Sequence, residues 1–463
     1  MLVAAITAWA QQPAAPAGVM TLNQAVQQAL AYYPGALAAA REHAAAQAQV
    51  EVAKTAFLPV GGVTAQFDRG TDNAVLGLTF PSPLPSISGT VPTKDYFGGS
   101  AWTSAAGVYF NWEVYDFGRR QANVNFFQDL AAEAGEQEQF VRLQVQAHAA
   151  DAFLNVLAAQ AEQQVAQADV GRWGTVDQTV RVLVAQQLRP GADASRADAE
   201  LAGARIRLAG AEQAVARAGA ALAEAVGSPA VPRTEPRLLS AAPALPAPPA
   251  GASTAAHPEA RVQAEAIAAS RQQGRELAVT DRPRFYLLGA AFGRGAGVLA
   301  PGQLATGATG LSPTGAGNWA VGLGVDFNFT RIAQTRRQRA VQVQQLAAAQ
   351  NRYALVLAQL TEAGRQAAAD LSAARQVAQD SPVELRAAQT GEAQARARYQ
   401  AGLAGIADLV DAEELLARAS SDEAISHLQV WRAWLETGFA QGDLGPFLRA
   451  VAGAAGGSSG GQS

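Results

Sequence analysis

Two distant stretches of this chain follow one plan. Residues 33–60 read YPGALAAAREHAAAQAQVEVAKTAFLPV, and residues 257–285 read HPEARVQAEAIAASRQQGRELAVTDRPRF. Each opens on a ring residue and a proline, Tyr33-Pro34 and His257-Pro258. Each reaches a second proline, Pro59 and Pro283, at the same spacing. Proline suits the first turn of a helix and opposes its interior. Each copy therefore predicts an Ala-rich helix of about six turns, bounded by prolines and followed by a different element. A duplication constrains the fold more tightly than composition, because both copies must build the same unit.

The following elements alternate. In SAWTSAAGVYFNWEVYDFG (100–118), Trp102, Ala106, Val108, Phe110, Trp112 and Val114 share one parity, while Thr103, Gly107, Tyr109, Asn111 and Glu113 take the other. In NWAVGLGVDFNFTR (318–331), Trp319, Val321, Leu323, Val325, Phe327 and Phe329 share one face, opposite Gly322, Gly324, Asp326, Asn328 and Thr330. Period two over about ten residues is a strand long enough to cross a membrane. A strand half-buried against a soluble core alternates in the same way, so the segment alone leaves both readings open. Partner strands are expected at about 58–80 and 283–295, joined through turn-rich loops.

Very long helices come next. No proline interrupts Arg119 to Arg189. Phe140, Leu143, Ala147, Ala150, Leu154, Leu157 and Ala161 keep 3-4 spacing, which Trp173, Val176, Val180 and Leu183 resume. Beyond Pro190-Gly191 a return helix carries Ala197, Leu201, Ala204, Leu208, Ala211, Val215, Ala218, Leu222 and Ala225. The second copy repeats the pattern through Leu346, Tyr353, Val356, Leu360 and Ala363 and turns near Gly402. This is a coiled-coil pattern with small residues in the seam. A helix of about 70 residues is roughly 100 Å long, which no globular core requires.

Composition excludes several classes. Charged residues make up 16% of the 463, against about 25% in an ordinary soluble protein. No run of 18 apolar residues predicts a transmembrane helix. A net charge of −4 gives no reason to expect a nucleic-acid partner. The absence of cysteine excludes disulfides, thiolate metal sites and a lipid-modified amino terminus. The start, MLVAAITAWAQQPAAPAG, reads as the end of a secretory signal peptide, with an A-x-A pattern at Ala8-Trp9-Ala10. Its basic leading region is missing, so the true start is expected further upstream.

Residues 1–10 are thus read as a signal-peptide remnant and 11–20 as a linker. The first repeat is 21–226: helix 21–57, β-hairpin 58–116, and long helical hairpin 117–226 with its tip near 189–198. A Pro/Ala connector, expected to be extended, covers 227–256. The second repeat is 257–445: helix 257–281, hairpin 283–331, and helical hairpin 332–440 with its tip near 400–407. A flexible tail is expected over 446–463.

Little in the chain points to catalysis. His43, His148, His257 and His427 are scattered, and no nucleophile motif appears. His148 and Asp151, three apart, read as a helix-surface polar pair rather than a metal site. Gly289, Gly293, Gly295 and Gly297 are not followed by a helix, as a phosphate loop requires. No enzyme, cofactor or metal is expected. The remaining feature is YQAGLAGIADLVDAEELL (399–416), where Asp408 and Asp411 sit three apart at the start of a helix. Carboxylates are favoured there by capping and by the helix dipole alone.

Helix, β-hairpin and long helical hairpin, written twice behind an export signal, resemble the outer-membrane efflux family, the TolC-type channel proteins. The resemblance covers about 21–445. It rests on TLNQAVQQALAYYPGALAAAREHAAAQAQVEVAKTAFLP, VYDFGRRQANV, RPGADASRADAEL and YQAGLAGIADLVDAEELL. The second copy departs from it at FNFTRIAQTRRQRA, which lacks Asp-Phe-Gly. The resemblance implies an α+β membrane protein with two structural repeats per chain. Three copies would form a 12-stranded β-barrel continued by a periplasmic α-helical tunnel. Four strands cannot close alone, since about eight are the minimum for a membrane barrel.

The implied function is passive export through the outer membrane in a tripartite efflux pump or type I secretion system. The implied partners are a periplasmic adapter (membrane fusion) protein, an inner-membrane pump of RND or ABC type, and outer-membrane lipid. Asp408 and Asp411 would form acidic rings at the periplasmic entrance, and acidic rings select cations. Tyr399 matches the gate tyrosine, and Asp198 lies near the gate's acidic residue. The gate arginine would fall at Ala404, leaving Arg189 or Arg196 to substitute. Gly191, Ala192, Gly402 and Leu403 would meet the adapter. Trp102, Val108, Phe110, Trp112, Val321, Val325, Phe327 and Phe329 would face lipid. The competing expectation is a periplasmic coiled-coil scaffold whose hairpins pack as ordinary sheet.

Overall fold

The first repeat opens on a capping box. The Thr21 hydroxyl accepts from the Gln24 N–H (3.3 Å), and the Gln24 side chain accepts from the Thr21 N–H (2.9 Å). This starts α1 (Leu22–Tyr32). Pro34 then holds Tyr33 in the extended region (φ −67°, ψ 123°) and starts α2 (Pro34–Lys54). The helix predicted over 21–57 is therefore two helices and a short 3-10 turn (Thr55–Phe57). The counterpart in the second repeat is α5 (Pro258–Val279), which begins at its proline as the duplication predicts.

The computed structural model describes residues 19–71, 100–239, 253–297, 308–314 and 316–456. The predicted signal remnant, nearly all of the linker 11–20 and the end of the first partner strand beyond Thr71 lie outside them. The chain divides into two units. Ala44–Ala132 with Glu265–Asn351 form one; Met1–His43, Glu133–Ala264 and Arg352–Ser463 form the other.

The first of these units holds one antiparallel sheet in the order β1-β2-β3-β4. Its strands are β1 (Val60–Thr71), β2 (Ser100–Tyr115), β3 (Arg284–Ala296) and β4 (Ala316–Asp326). Register brings one apolar set onto one face. Val63 lies opposite Val108, Val108 opposite Ala291, and Ala291 opposite Trp319. Phe110 lies opposite Gly289, which lies opposite Val321. Gly289 is needed there, because a Cβ would stand 2.3 Å from the Phe110 ring. The face is bare: Val63 is 82% exposed, Trp319 80% and Leu323 83%. The other face carries Thr64, Gln66, Tyr109, Asn111, Glu113 and Arg294. β1 and β4 each leave one edge unpaired among the described strands.

The strands hand over to long helices through two different caps. After β2, the Asp116 carboxylate accepts from the Gly118 N–H (3.1 Å), the Arg120 N–H (2.8 Å) and Arg120 Nε (3.0 Å). Phe117 (φ 57°) and Gly118 (φ 87°) make the left-handed corner. This accounts for the Asp-Phe-Gly motif at the start of α3 (Arg119–Ala185). Burial pushes the Asp116 carboxyl up. The Arg120 N–H, its guanidinium and the Gly118 N–H outweigh that and hold it below the usual range.

After β4, the Asn328 side chain accepts from the Thr330 N–H (3.1 Å) and Arg331 N–H (3.3 Å) at the start of α6 (Thr330–Gln400). That cap ends the strand at Asp326. Phe327 and Phe329, predicted on the strand's lipid face, therefore lie beyond it.

In the second unit, α3 and α4 (Gly191–Ala225) form one helical hairpin, and α6 and α7 (Ile406–Gln441) the other. Leu22, Val26, Phe153, Leu154, Leu157, Leu222, Trp431 and Trp434 make its main core. Two predictions fail here for one reason, which is that apolar side chains find this core. The tail predicted to be flexible contains α8 (Gly445–Gly456), whose Phe447 is buried edge-on to Trp431 and Trp434. Burying such a side chain contributes about 1.5–3 kcal/mol. The connector is partly packed rather than simply extended. Leu238 is buried, and Met20 exchanges backbone hydrogen bonds with Arg233 (2.7 Å) and Glu235 (3.0 Å).

Candidate functional site

The ends of the two helical hairpins meet within the second unit. Both long helices stop in the same way. After α3, Gln187 turns left-handed (φ 61°), and the Leu188 N–H donates to the Leu183 carbonyl (2.9 Å). After α6, Gly402 turns left-handed (φ 79°), and the Leu403 N–H donates to the Arg398 carbonyl (2.8 Å). This is the 6→1 closure of a Schellman end. Gly402 thus serves the corner role expected of it. Gly191 does not: it is the first residue of α4, and the left-handed position belongs to Gln187.

Tyr399 joins the two turns. It ends α6, is 1% exposed, and its hydroxyl donates to Asp193 Oδ2 (2.9 Å) in the first turn of α4. Arg189 lies over the Tyr399 ring (4.2 Å). Its guanidinium donates to the carbonyls of Tyr399 and, at 3.0 Å, of Ala404. Burial, then the Asp193 hydrogen bond and charge, push the Tyr399 phenol up to about 12; Arg189 opposes them. Arg189 of the opposite hairpin therefore reaches the backbone at Ala404. Arg196 is exposed and makes no such contact.

Asp198 goes elsewhere. It pairs with Arg181, which also holds Asp177 (3.0 Å), and the acid on Tyr399 is Asp193. The physical reason is helix phase: Asp193 lies in the first turn of α4 beside the junction, and Asp198 is exposed. Asp408 and Asp411 are both exposed, and Asp408 accepts from the Gly405 N–H (3.2 Å) at the start of α7. Ala192 and Leu403 are also exposed at the two turns.

Behind the turns lies a core of Trp173, Val176, Val180, Ala197, Ala204, Leu409 and Val410. A charge network follows, unforeseen from sequence. Glu413 of α7 is fully buried and takes Arg396 of α6 (2.8 Å) and Arg172 of α3 (3.4 Å). Arg396 also meets Glu392 (2.6 Å), and Asp169 meets Arg172 (3.0 Å) and Arg207 of α4 (2.8 Å). All four helices are therefore cross-linked. Burial pushes the Glu413 carboxyl up, Arg396 pulls it down, and neighbouring Glu392 raises it again; the net direction is up. The only sequence signal was a carboxylate on the α7 face that also carries Leu409 and Leu416.

In the sheet unit, Val108, Phe110, Trp112, Val321 and Val325 are exposed on the apolar face. Trp102 shares that face under the Arg69 guanidinium (5.5 Å). No described helix is long and apolar enough to cross a membrane.

Residues 25–228 match the family model described as "Outer membrane efflux protein". The first repeat is therefore similar to the outer membrane efflux protein family. Solved outer-membrane channels share the fold over nearly the whole chain. VceC of Vibrio cholerae aligns with TM-score 0.72 at 18% identity, covering 91% of this chain and 96% of that one. MtrE of Neisseria gonorrhoeae, in its open state, gives 0.74 at 18%, covering 91% and 89%. CusC gives 0.76 at 14%, covering 94% and 96%. At such identities the likeness is one of fold. A search of curated proteins returns no match.

Proposed function

We propose that three copies of this chain form a passive exit duct in the outer membrane, serving an efflux pump. The observation that carries this reading is the sheet. Four strands expose one continuous apolar face and leave β1 and β4 as open edges. An apolar sheet with open edges is stable neither in water nor in lipid. Pairing β4 of one copy with β1 of the next removes every edge, and three copies supply twelve strands. The match of residues 25–228 to the outer membrane efflux protein model supports the same assignment.

The paired hairpins would line the periplasmic approach to the barrel. Their turns, with Gly191, Ala192, Gly402 and Leu403, would meet a periplasmic adapter coupled to an inner-membrane pump. Repeated around a threefold axis, Asp408 and Asp411 become acidic rings that favour cations. The Tyr399–Asp193–Arg189 contact ties the hairpins of one copy together and closes this mouth. The cargo is small molecules such as drugs.

Purified protein in planar bilayers should conduct, and its mass in detergent should be that of three chains. A monomer that neither inserts nor conducts would favour the scaffold reading.

A further inference from the structure

The two repeats enter their long helices with opposite charge economies. In the first, acids answer both arginines: Glu113 meets Arg119 (3.3 Å), and Asp116 meets Arg120 (3.0 Å). In the second, no Asp or Glu occurs from Phe327 to Thr361. Within that run α6 starts with no acid in its first turn, and Arg331, Arg336, Arg337 and Arg339 follow. Arg339 is held by Asp281 (2.8 Å) and by the carbonyls of Leu277 (2.9 Å) and Ala278 (3.0 Å). Arg331, Arg336 and Arg337 have no ion pair among the described residues, and Arg336 and Arg337 are exposed. The nearest preceding acid, Asp326, lies opposite Arg284, on the other side of the sheet from Val325.

Cations at a helix N-terminus oppose its dipole. Asn328 already satisfies the first N–H groups, so the helix end has no need of them. Beside them Phe327 is 50% exposed and Phe329 73%. Both rings are exposed just past the end of β4, the strand that carries Trp319, Val321, Leu323 and Val325 on the apolar face. Aromatic rings next to guanidinium groups, at the end of a lipid-facing strand, are the chemistry of a membrane surface: rings enter the interface and guanidinium forks take phosphate.

We propose that Phe327, Phe329, Arg331, Arg336 and Arg337 bind the headgroups of anionic phospholipids where the strands give way to helices. This rests on the membrane reading above. Adjacency to the strand that carries the apolar face selects a lipid over free phosphate as the source of the anion.

The test uses the full chain reconstituted in phosphatidylcholine vesicles containing one-fifth phosphatidylglycerol. Flotation with the vesicles reports insertion. Mild detergent extraction followed by lipid quantitation reports which lipid stays bound. The wild-type protein should retain phosphatidylglycerol enriched about fivefold or more over the vesicle ratio, since one surface arginine alone is worth about that factor. Arg331→Gln with Arg336→Gln and Arg337→Gln should bring retention to the vesicle ratio, while Arg352→Gln should leave it unchanged. Equal enrichment in wild type and the triple variant overturns the proposal, as does displacement of the lipid by inorganic phosphate. Failure to float removes the membrane reading and this site with it; flotation without enrichment removes the site alone.

Discussion

Replacing Arg189 with alanine isolates the contact between the hairpin turns. The guanidinium donates to two carbonyls at the end of α6 and lies 4.2 Å from the Tyr399 ring centre. Arg189 is half-buried, so each charge-assisted bond is taken near the low end of its range, about 1 kcal/mol. A cation over an aromatic ring adds about 0.5–1 kcal/mol. The sum is about 2.5–3 kcal/mol, which shifts a local opening equilibrium roughly 70- to 160-fold. Hydrogen exchange on the assembled protein reads this directly. Amides of residues 401–409 should lose protection by that factor in Arg189→Ala, while those of α1 and α8 keep theirs. Arg189→Lys should recover only part, because an ammonium cannot fork to two carbonyls and stack at once. Protection at 401–409 within threefold of wild type would refute the assignment of Arg189 as the tie. So would a uniform loss across the second unit.

Four further outcomes are expected. Phe110→Arg or Val325→Arg places a charge on the apolar face and should cost about 2–4 kcal/mol near a bilayer midplane; trimer yield in membranes checks it, and normal yield from both favours a soluble sheet. Asp408→Ala with Asp411→Ala should reduce cation selectivity in single-channel recordings, and unchanged selectivity takes these residues out of the constriction. Tyr399 has its pKa raised from the ordinary 10 to about 12, so its stabilising contribution is complete below pH 10 and lost as pH rises through about 12. Ultraviolet titration should show a tyrosine titrating near 12 that is absent in Tyr399→Phe. Asp116 has its pKa lowered, so its contribution is present above the ordinary aspartate range and lost as pH falls through the lowered value. Asp116→Asn should abolish that acid-side loss and destabilise the β2–α3 junction by about 3–5 kcal/mol by stranding Arg120; thermal unfolding across pH 2–6 measures both.

Local rules made much of this molecule legible from its residues. Proline fits the first turn of a helix, so Pro34 and Pro258 open α2 and α5 as read. A strand's side chains alternate whatever covers them, so Val108, Phe110, Val321 and Val325 were assigned to one face before any register was known. A small-residue seam specifies a long helical hairpin in both copies; the first long helix carries no proline, and the second continues through Pro382. Phe327 and Phe329 also alternate, but the Asn328 cap ended the strand first. Alternation cannot report where a cap prevails.

Only the tertiary structure decided which charges meet. Asp193, Asp198, Arg189 and Arg196 crowd the ten positions 189–198. Their partners depend on the phase between α4 and α6, which sequence spacing within one helix does not contain. The Glu413 network is invisible for the same reason: its members come from four helices, and each looks like an ordinary surface charge in its own. The α8 helix reads as tail because its Gly/Ala-rich end runs into AAGGSSGGQS, and becomes structure because Trp431 and Trp434 are there to receive Phe447. Periodicity is a property of one segment and survives in the sequence. Pairing is a property of two segments brought together, and exists only once the chain has folded.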